Sequence, residues 1–278
     1  MGRRVVSILM ALLGALAVLV ANLGWWVDRT FLDEDTFTEE AVELLSDPLV
    51  QADVAEELRS ELLLSTAVEQ LVPGSVAAVV AAPAFRPIYE SAIRRSHRFL
   101  VDPDVDAVTL TLEGYSDLLA SVAGRTDPGL LDAIRSVAAD LPGELTGDSI
   151  TITRADLPDV WDVLIRSRDA IVPAAILGAV LIGLAAVLHP RWTSPLGWAG
   201  TTLLVGGAAL ALVASQADTV VSDLFGAKES VALALEQFTE PLVPQSLVLA
   251  LVGVVAVAAA IAGRWAAGAR QPEPQPLA

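Results

Sequence analysis

The chain has 278 residues, of which 34 are acidic and 17 basic, so its formal net charge is -17. This charge argues against a nucleic-acid-binding protein, because binding to phosphates requires a basic surface. Cysteine is absent, which excludes disulfides, thiol catalysis and thiolate metal sites. Apolar residues make up 54% of the chain, above the roughly 45–50% that is usual for soluble domains, so we expect part of the chain to lie in a membrane.

Four stretches without Asp, Glu, Lys or Arg predict four transmembrane helices. Each has roughly 20 residues, enough for a helix to cross a hydrocarbon core of about 30 Å. The stretches are Val5–Val27, Ala170–Pro190, Trp192–Ala217 and Pro241–Gly263. The polar segment between the first two has about 140 residues, long enough to bury a core of its own.

The first apolar stretch is predicted to be a permanent anchor and not a cleaved signal peptide. Arg3 and Arg4 precede it as in a signal peptide. The stretch is nevertheless longer than the roughly 7–15 residues of a signal-peptide core, and no good Ala-x-Ala cleavage pattern follows it. It ends in Trp25 and Trp26, and tryptophan favours the boundary between membrane and water. We interpret both tryptophans as interfacial anchors.

Basic residues determine the topology that we expect. The segments expected inside contain one acid, Glu273, and five basic residues: Arg3, Arg4, Arg191, Arg264 and Arg270. Basic residues of short membrane-flanking segments prefer the cytoplasm. We therefore expect cytoplasmic N- and C-termini, and we expect the long polar segment on the other side of a bacterial plasma membrane.

The predicted fold class is a mainly α membrane protein with four transmembrane helices and an α-rich extracytoplasmic domain that contains a minor two-stranded β element. Residues 1–27 are the cytoplasmic N-terminus and the first transmembrane helix, and residues 28–169 are the extracytoplasmic domain. Residues 170–263 contain the other three transmembrane helices, with an acidic outer loop over 216–243. Residues 264–278 form a cytoplasmic tail.

Helix-start signals divide the first part of the outer domain. Thr36–Glu39 fits a capping box, in which the Thr and Glu side chains bind opposite backbone donors. Ser46–Pro48 predicts a second start, because proline suits the first turn of a helix. A third helix is predicted from about Pro83 to Leu100.

Two short segments, Val108–Leu112 and Ser149–Thr153, alternate in polarity and predict strands. An isolated pair of strands is marginal in water, so a pair formed by these two has to lie against the helices. A helix from about Asp127 to Ala139 is predicted between them.

Helical patterns also extend beyond the membrane stretches. The helix from Ala155 has no stop before the second span, and the pattern of the third span continues outward to Gly226. Another amphipathic helix is predicted over Val231–Leu242. Its acidic polar face favours packing on the main domain over binding to an anionic membrane.

Small residues recur at four-residue spacing in the last three spans. Such pairs let helix backbones approach closely, and packing within the bundle is the simplest role for them. The pairs are Ala174/Gly178, Ala179/Gly183, Thr202/Gly206, Ala256/Ala260 and Ala259/Gly263.

A calcium loop is one candidate site. Asp102, Asp104, Asp106 and Glu113 match positions 1, 3, 5 and 12 of the EF-hand loop, whose oxygens converge on one cation. The position that requires glycine holds Ala107. The alternative interpretation is a solvated acidic turn before a strand.

A basic cluster is the second candidate. Arg94, Arg95 and Arg98 surround His97 in an otherwise acidic domain, and together they are a possible anion patch for a lipid headgroup or an anionic wall polymer. The alternative is a charged helix face, with Glu90 and Arg94 as an i,i+4 pair.

No motif indicates an enzyme. The two histidines, His97 and His189, are expected on opposite sides of the bilayer and so cannot form a dyad or share a metal. The sequence contains no glycine-rich phosphate loop and no serine in a nucleophile elbow. Apart from His189 at one end, the spans hold no ionisable residue of the kind that proton relays need.

The sequence resembles a family of uncharacterised actinobacterial integral membrane proteins. The resemblance implies one span, an extracytoplasmic helical domain and then further spans, and it implies no catalytic residues. The segments that carry it are Trp26–Asp33, Phe37, Leu44–Pro48, Val50–Gln51, Ala82–Phe85 and Arg95–His97.

We therefore expect a non-enzymatic membrane protein with an extracytoplasmic interaction or scaffolding domain and no cofactor unless calcium binds. Its expected partners are the lipid bilayer and other envelope membrane proteins, and not nucleic acid. One alternative is a cation- or small-ligand-responsive membrane protein. Another is an accessory subunit of a transporter or envelope enzyme.

Overall fold

The computed structural model describes most of the chain, and all structural statements concern these residues. They are 2–61, 73–102, 105, 107–111, 115–126, 149–153, 160–217, 219 and 228–268. Within them the chain is mainly helical, and four helices are long and apolar enough to cross a membrane. This confirms the four predicted spans as helices.

The helices and strands follow one another in this order along the chain: α1 (Gly2–Val27), α2 (Glu34–Leu44), α3 (Pro48–Glu61), α4 (Ser75–Val80), α5 (Arg86–Val101), β1 (Ala107–Thr111), α6 (Tyr115–Thr126), β2 (Ser149–Thr153), α7 (Val160–Leu188), α8 (Thr193–Ala214), α9 (Glu229–Thr239) and α10 (Leu242–Gly268). A π-helical turn, Asp28–Leu32, follows α1, and a 3₁₀ turn, Pro83–Phe85, precedes α5.

The chain folds as two compact units. The membrane unit, as we call the first, comprises Met1–Arg29, Arg166–Val221 and Leu235–Ala278. The second, the polar unit, comprises Thr30–Ile165 and Ser222–Ala234.

Glycines bring the membrane helices into backbone contact. A Cβ atom on Gly14 of α1 would lie 2.7 Å from the carbonyl oxygen of Gly178 on α7, and the reverse distance is also 2.7 Å. Real Cβ atoms do not approach other atoms this closely, so only glycine fits at this crossing. Close approach adds van der Waals contact between helices that gain no hydrophobic free energy from associating in lipid.

The contact between α8 and α10 uses three glycines. A Cβ on Gly253 would lie 2.4 Å from the amide nitrogen of Leu204 and 2.6 Å from the carbonyl oxygen of Gly200. About two helical turns away, a Cβ on Gly207 would lie 2.7 Å from the carbonyl oxygen of Ser246. The two helices therefore run side by side with their backbones touching at several levels.

The small-residue pairs predicted these contacts only in part. Contact roles are confirmed for Gly178, for Gly206, whose Cβ position lies 2.4 Å from Leu19, and for Ala256, which lies against Gly200. The prediction is wrong for Gly183, because nothing lies within 4 Å of its Cβ position. Spacing identifies small residues but not which face of the helix meets a neighbour.

In the membrane unit small side chains lie inside and large apolar side chains lie outside, the reverse of their distribution in soluble proteins. The buried cluster consists mostly of small residues, including Ala11, Ala15, Ala185 and Ala199. Large apolar side chains such as Val172, which is 65% exposed, lie on the outside. This is the arrangement expected when the surrounding solvent is lipid.

The polar unit has its own aromatic core. Phe85 lies at its centre, and the ring of Tyr115 meets it edge to face at a centroid distance of 6.2 Å. The buried cluster also includes Val76 and Val79 of α4 and Leu119 of α6. Aromatic pairs in this geometry stabilise a core by roughly 0.5–1.5 kcal/mol beyond the area that they bury.

The predicted capping box at Thr36–Glu39 is wrong. The N-cap of α2 is Asp33, whose Oδ1 accepts a hydrogen bond from the backbone N–H of Thr36 at 2.9 Å. Asp33 is as good a cap as Thr36. A start at Asp33 also places Glu34 and Asp35 in the first turn, where negative charge suits the helix dipole.

Two other predicted helices of the polar unit are confirmed with small shifts. Pro48 begins α3, and the side chain of Asp47 accepts from the backbone N–H of Leu49 at 2.8 Å. The third predicted helix is the 3₁₀ turn followed by α5. The predicted helix at Asp127–Ala139 lies outside the described residues.

The two predicted strands pair antiparallel, with Thr109 opposite Thr151. Each lies within one residue of its predicted bounds. The minor two-stranded element is therefore confirmed.

Two predicted helix bounds next to the membrane stretches need correction. α8 ends at Ala214 and does not continue unbroken to Gly226, because a turn at Ser215–Gln216 interrupts it. The helix predicted over Val231–Leu242 ends at Thr239, and Leu242 starts α10. Pro241 lies between them and has no N–H to continue a helix. By contrast, α7 runs without a break from Val160 to Leu188, which confirms this part of the helix predicted from Ala155. Ala155 itself lies outside the described residues.

The start of α9 lies on the polar unit, as its acidic face predicted. The hydroxyl of Ser230 donates a hydrogen bond to the carboxylate of Asp53 on α3. The ammonium of Lys228 lies 3.7 Å from the other oxygen of that carboxylate.

We predict that Gly253→Val lowers the thermal stability of the protein purified in mild detergent. The new side chain would displace α8 from α10, and overpacking of this kind costs about 1–3 kcal/mol or more. Gly183→Val is the matched control, because its Cβ position is open, and its effect should stay within about 0.5 kcal/mol. Equal melting temperatures for the two variants would contradict the assigned α8–α10 contact.

Candidate functional site

The two tryptophans at the end of α1 have different surroundings. Trp25 is 59% exposed, which is compatible with an interfacial anchor. Trp26 is half-buried, and its indole N–H donates a hydrogen bond to the carbonyl of Phe238 at 3.1 Å. Within the membrane unit, Trp26 therefore ties α1 to the end of α9. The sequence gives no signal for this second role.

A cleft of about 720 Å³ lies between α1, α7 and α10 in the membrane unit. Apolar side chains form most of its wall, among them Val18, Ile171, Val172 and Leu249. A largely apolar cavity with a few convergent polar groups is the usual form of a small-molecule site.

Charged residues lie at one end of this cleft. The Nε of Arg168 is 2.7 Å from Oδ1 of Asp28, and Asp169 also lines the cleft. Asp28 is the first residue of the π-helical turn, a feature that recurs at functional sites. Because both partners are partly exposed, the ion pair adds little stability, but it fixes the guanidinium beside the cleft.

Asn22 supplies an amide to the wall of the cleft. Gln245 on α10 donates to both the backbone carbonyl and the side-chain oxygen of Asn22, each at 2.9 Å. The second of these bonds orients the Asn22 side chain. Its Nδ2 is covered and has no hydrogen-bond partner among the described residues. Because this atom is covered, it is not part of the surface that the cleft offers to a ligand, and leaving it unpaired costs roughly 1–3 kcal/mol.

The basic cluster on α5 is neutralised by acids. Arg98 contacts the two carboxylate oxygens of Glu34 at 2.9 Å each, a bidentate pair. Arg94 lies 2.8 Å from Asp35 and 3.3 Å from Glu90, the i,i+4 partner that the sequence predicted. A shallow pocket of about 400 Å³ is lined by the three arginines of this cluster and by Glu90. The geometry favours the charged-face interpretation over the anion patch.

The arginines lower the pKa of Glu34, chiefly through the hydrogen bond from Arg98. A carboxylate with a lowered pKa in the folded state adds stability at pH values above its unfolded pKa, near 4.5. That stability is lost as the pH falls through the lower folded value. The pairing therefore supports the contact of α2 with α5 at neutral pH and weakens only in acid.

Both histidines make contacts that stabilise local structure. His97 is buried in the polar unit, where its Nε2 lies 3.0 Å from the carbonyl oxygen of Phe31 and its ring stacks on Phe37 at 5.0 Å. His189 is in the membrane unit and accepts from the backbone N–H of Arg191 at 3.0 Å. In the described part of the chain, neither histidine belongs to a group of three or more side chains that could hold a metal ion.

Most of the predicted calcium loop lies outside the described residues. Asp102 is the exposed C-cap of α5, whereas Asp104, Asp106 and Glu113 are not described. Ala107, at the position that requires glycine for a sharp turn, is the first residue of β1. Across the residues that are described, no group of three or more histidines and acids is arranged to hold a metal ion. The calcium loop stays a prediction.

Comparison with models of known families, with characterised proteins and with solved structures gave no match. The resemblance to the actinobacterial membrane family therefore stays a prediction, and the function must be argued from the residues themselves.

The cleft is the candidate site that sequence reasoning missed. Its residues come from three helices far apart in the chain, and only Asn22 and the charged positions stand out from the apolar runs. The sequence signals are one polar residue within a span, Asn22, and charged residues that directly flank two spans, Asp28 after the first and Arg168 and Asp169 before the second. Both signals are weak.

We predict that a diazirine-bearing long-chain alcohol labels the cleft of the protein in phosphatidylcholine nanodiscs, at residues 18–28 and 168–175. Ala175→Phe places a ring in the cleft, which Ala175 lines. We expect roughly fivefold weaker labelling, because about 1 kcal/mol of apolar contact is lost.

Ala179→Phe is the control for this experiment. Ala179 lies one turn farther along α7, is exposed and does not line the cleft. If both variants are labelled as strongly as the wild type, the probe samples only the general lipid-facing surface, and the cleft does not bind it.

Proposed function

We propose that the protein is a non-enzymatic, multi-pass protein of a bacterial plasma membrane, and that its polar unit is an extracytoplasmic interaction or scaffolding domain. The carrying observation is that the polar unit has a separate aromatic core built on Phe85, distinct from the core of the membrane unit. A domain with its own core can present a stable surface to a partner.

The contacts of the charged and histidine side chains in the polar unit support a role without catalysis. Arg94, Arg98 and Glu34 neutralise one another, and His97 binds a backbone carbonyl. Groups with the chemistry that a general acid or base requires are thus employed in holding α2 and the π-helical turn against α5.

The proposed location follows from charge. At one end of the membrane helices, all the charged residues that the structure describes are basic: Arg3, Arg4, Arg191 and Arg264. This favours a cytoplasmic location for that end. The polar unit would then lie outside the cell. The resemblance to actinobacterial membrane proteins supports the same layout.

The partners that we propose are other envelope membrane proteins, alongside the bilayer. In one form of this proposal the protein is an accessory subunit of a transporter or envelope enzyme, and the chemistry belongs to the partner. The acidic surface makes nucleic acid an unsuitable partner.

The cleft favours a second candidate function, a membrane protein that responds to a small ligand. An amphiphile would place its apolar part against Val18 and Leu249 and its polar part near Arg168 and Asp169. Calcium binding at Asp102–Glu113 is the other form of this candidate, and a calcium-dependent rise in melting temperature that Asp104→Ala abolishes would support it.

We predict that the tagged full-length protein, extracted from its native membrane in mild detergent, retains a stoichiometric protein partner through the polar unit. Phe85→Ala should abolish this retention, because emptying the core position of a buried phenylalanine costs about 3–5 kcal/mol.

Leu16→Ala is the control for partner capture. Leu16 lies on α1 and is exposed, so this change leaves the polar unit intact and should retain the partner. Retention by Phe85→Ala would show that the partner binds the membrane unit. Absence of any partner from the wild-type preparation would refute the scaffolding role.

Reporter fusions test the proposed topology. Fusions after Glu113 and after Glu229 should report an extracytoplasmic location, and a fusion after Arg191 a cytoplasmic one, because basic flanks stay inside. The reverse pattern would overturn the orientation and the proposed role of the polar unit.

A further inference from the structure

A second groove lies on the membrane unit, at the basic ends of α8 and α10. Its volume is about 430 Å³. Its main lining residues are Gly197, Trp198 and Thr201 of α8 and Val257, Ile261 and Arg264 of α10. The groove therefore combines one cation and one large aromatic ring with an apolar wall.

The guanidinium of Arg264 lies beside a glycine of α8, Gly197. Its Nη2 lies 3.9 Å from the position that a Cβ on Gly197 would take, and Ala260 lies 3.6 Å from the same point. The guanidinium thus lies over a part of α8 without a side chain. Among the residues that the structure describes, Arg264 forms no ion pair, in contrast to Arg94 and Arg98 of the polar unit.

All the described charged residues at this end of the membrane unit are basic. Arg3, Arg4 and Arg191 lie at the same helix ends as Arg264. The described acids of this unit lie at the opposite ends: Asp28, Asp169, Glu236 and Glu240. An anion at the groove would therefore meet no repulsion from a described acid nearby.

Tryptophan rings mark the same end. Trp198 lines the groove and is 51% exposed. Trp192, which precedes α8, and Trp265, which follows Arg264, are also exposed. Exposed tryptophans are typical of the layer where lipid headgroups meet acyl chains. A ligand in this groove would accordingly have a polar part and an apolar part.

We propose that this groove is a binding site for one anionic phospholipid. The guanidinium of Arg264 binds the phosphate through charge-assisted hydrogen bonds, the strong class for this pair of groups. The acyl chains extend over Val257 and Ile261. Basic pockets between membrane helices recognise anionic headgroups in this way.

The two hydroxyl groups that line the groove, those of Thr201 and Ser194, differ in their capacity to donate a hydrogen bond. Thr201 already donates to the carbonyl of Gly197 at 2.9 Å, so its hydroxyl offers only acceptor lone pairs. Ser194 also lines the groove and provides a hydroxyl donor for a phosphate or glycerol oxygen. A free phosphate would use Arg264 and Ser194 but leave the apolar wall uncovered, which is why we assign a lipid.

This site is independent of the proposed scaffolding role, since it uses only the membrane unit. Loss of a protein partner and loss of a bound lipid are measured separately, so either proposal can fail alone.

Native mass spectrometry of the detergent-purified protein tests the site. Phosphatidylglycerol and phosphatidylcholine with identical acyl chains are added in turn, and the retained lipid is counted. We expect preferential retention of one phosphatidylglycerol and a loss of about tenfold in Arg264→Gln, the effect of removing a charged hydrogen-bonded pair.

Arg4→Gln is the matched control, because it removes the same charge from the same end without altering the groove. Its effect should stay within about fivefold, the value of one basic residue near a charged surface. Arg264→Lys should bind more weakly than the wild type and more strongly than Arg264→Gln, because it keeps the charge and loses the planar fork.

Three results would overturn the proposal. Equal losses in Arg264→Gln and Arg4→Gln would show diffuse surface attraction only. Equal retention of phosphatidylcholine and phosphatidylglycerol by the wild type would show no recognition of anionic charge. Displacement of the lipid by millimolar inorganic phosphate would show a soluble-anion site.

Discussion

Backbone contact between the membrane helices is the constraint on which the membrane unit depends. Gly14 against Gly178, and Gly253 against Gly200 and Leu204, leave no room for a side chain. In lipid, apolar surface gains nothing by turning inward, so the free energy of association comes from close packing. The same contacts fix the spaces that remain, because a cleft persists only where wider side chains hold helices apart. The positions of Asn22 and Arg168 beside the cleft, and of Arg264 beside the groove, follow from that packing.

The two units satisfy their charges in different ways. In the polar unit Glu34 binds Arg98 and Arg94, and its lowered pKa reports that pairing. In the membrane unit Asp28 binds Arg168 at one end, whereas Arg264 at the other end has no acid beside it among the described residues. Paired charges stabilise a local contact, but an unpaired arginine next to apolar wall is available to a ligand. This difference is why the groove, and not the α5 cluster, carries the anion proposal.

Sequence patterns predicted the helices better than the sites. Apolar length gave the four membrane helices, and alternation gave both strands, because these depend on local periodicity. The start of α2 was harder to predict, because Asp33 and Thr36 both suit an N-cap. The helix starts after Asp33, which places Glu34 near Arg98. Pro241 divides two helices that a pattern of apolar residues joined. The cleft depends on which faces of three helices meet, and neither composition nor spacing specifies that.

The hydrogen bond from Trp26 to Phe238 also bears on how the chain is made. Its donor and acceptor are 212 residues apart in the sequence. Chains emerge from the ribosome N-terminus first, so Trp26 reaches the membrane long before its acceptor exists. Until Phe238 has been synthesised, this hydrogen bond cannot form. The bond can close only when the segment before α10 has been delivered. A chain that stops short of that point lacks this hydrogen bond between α1 and the end of α9.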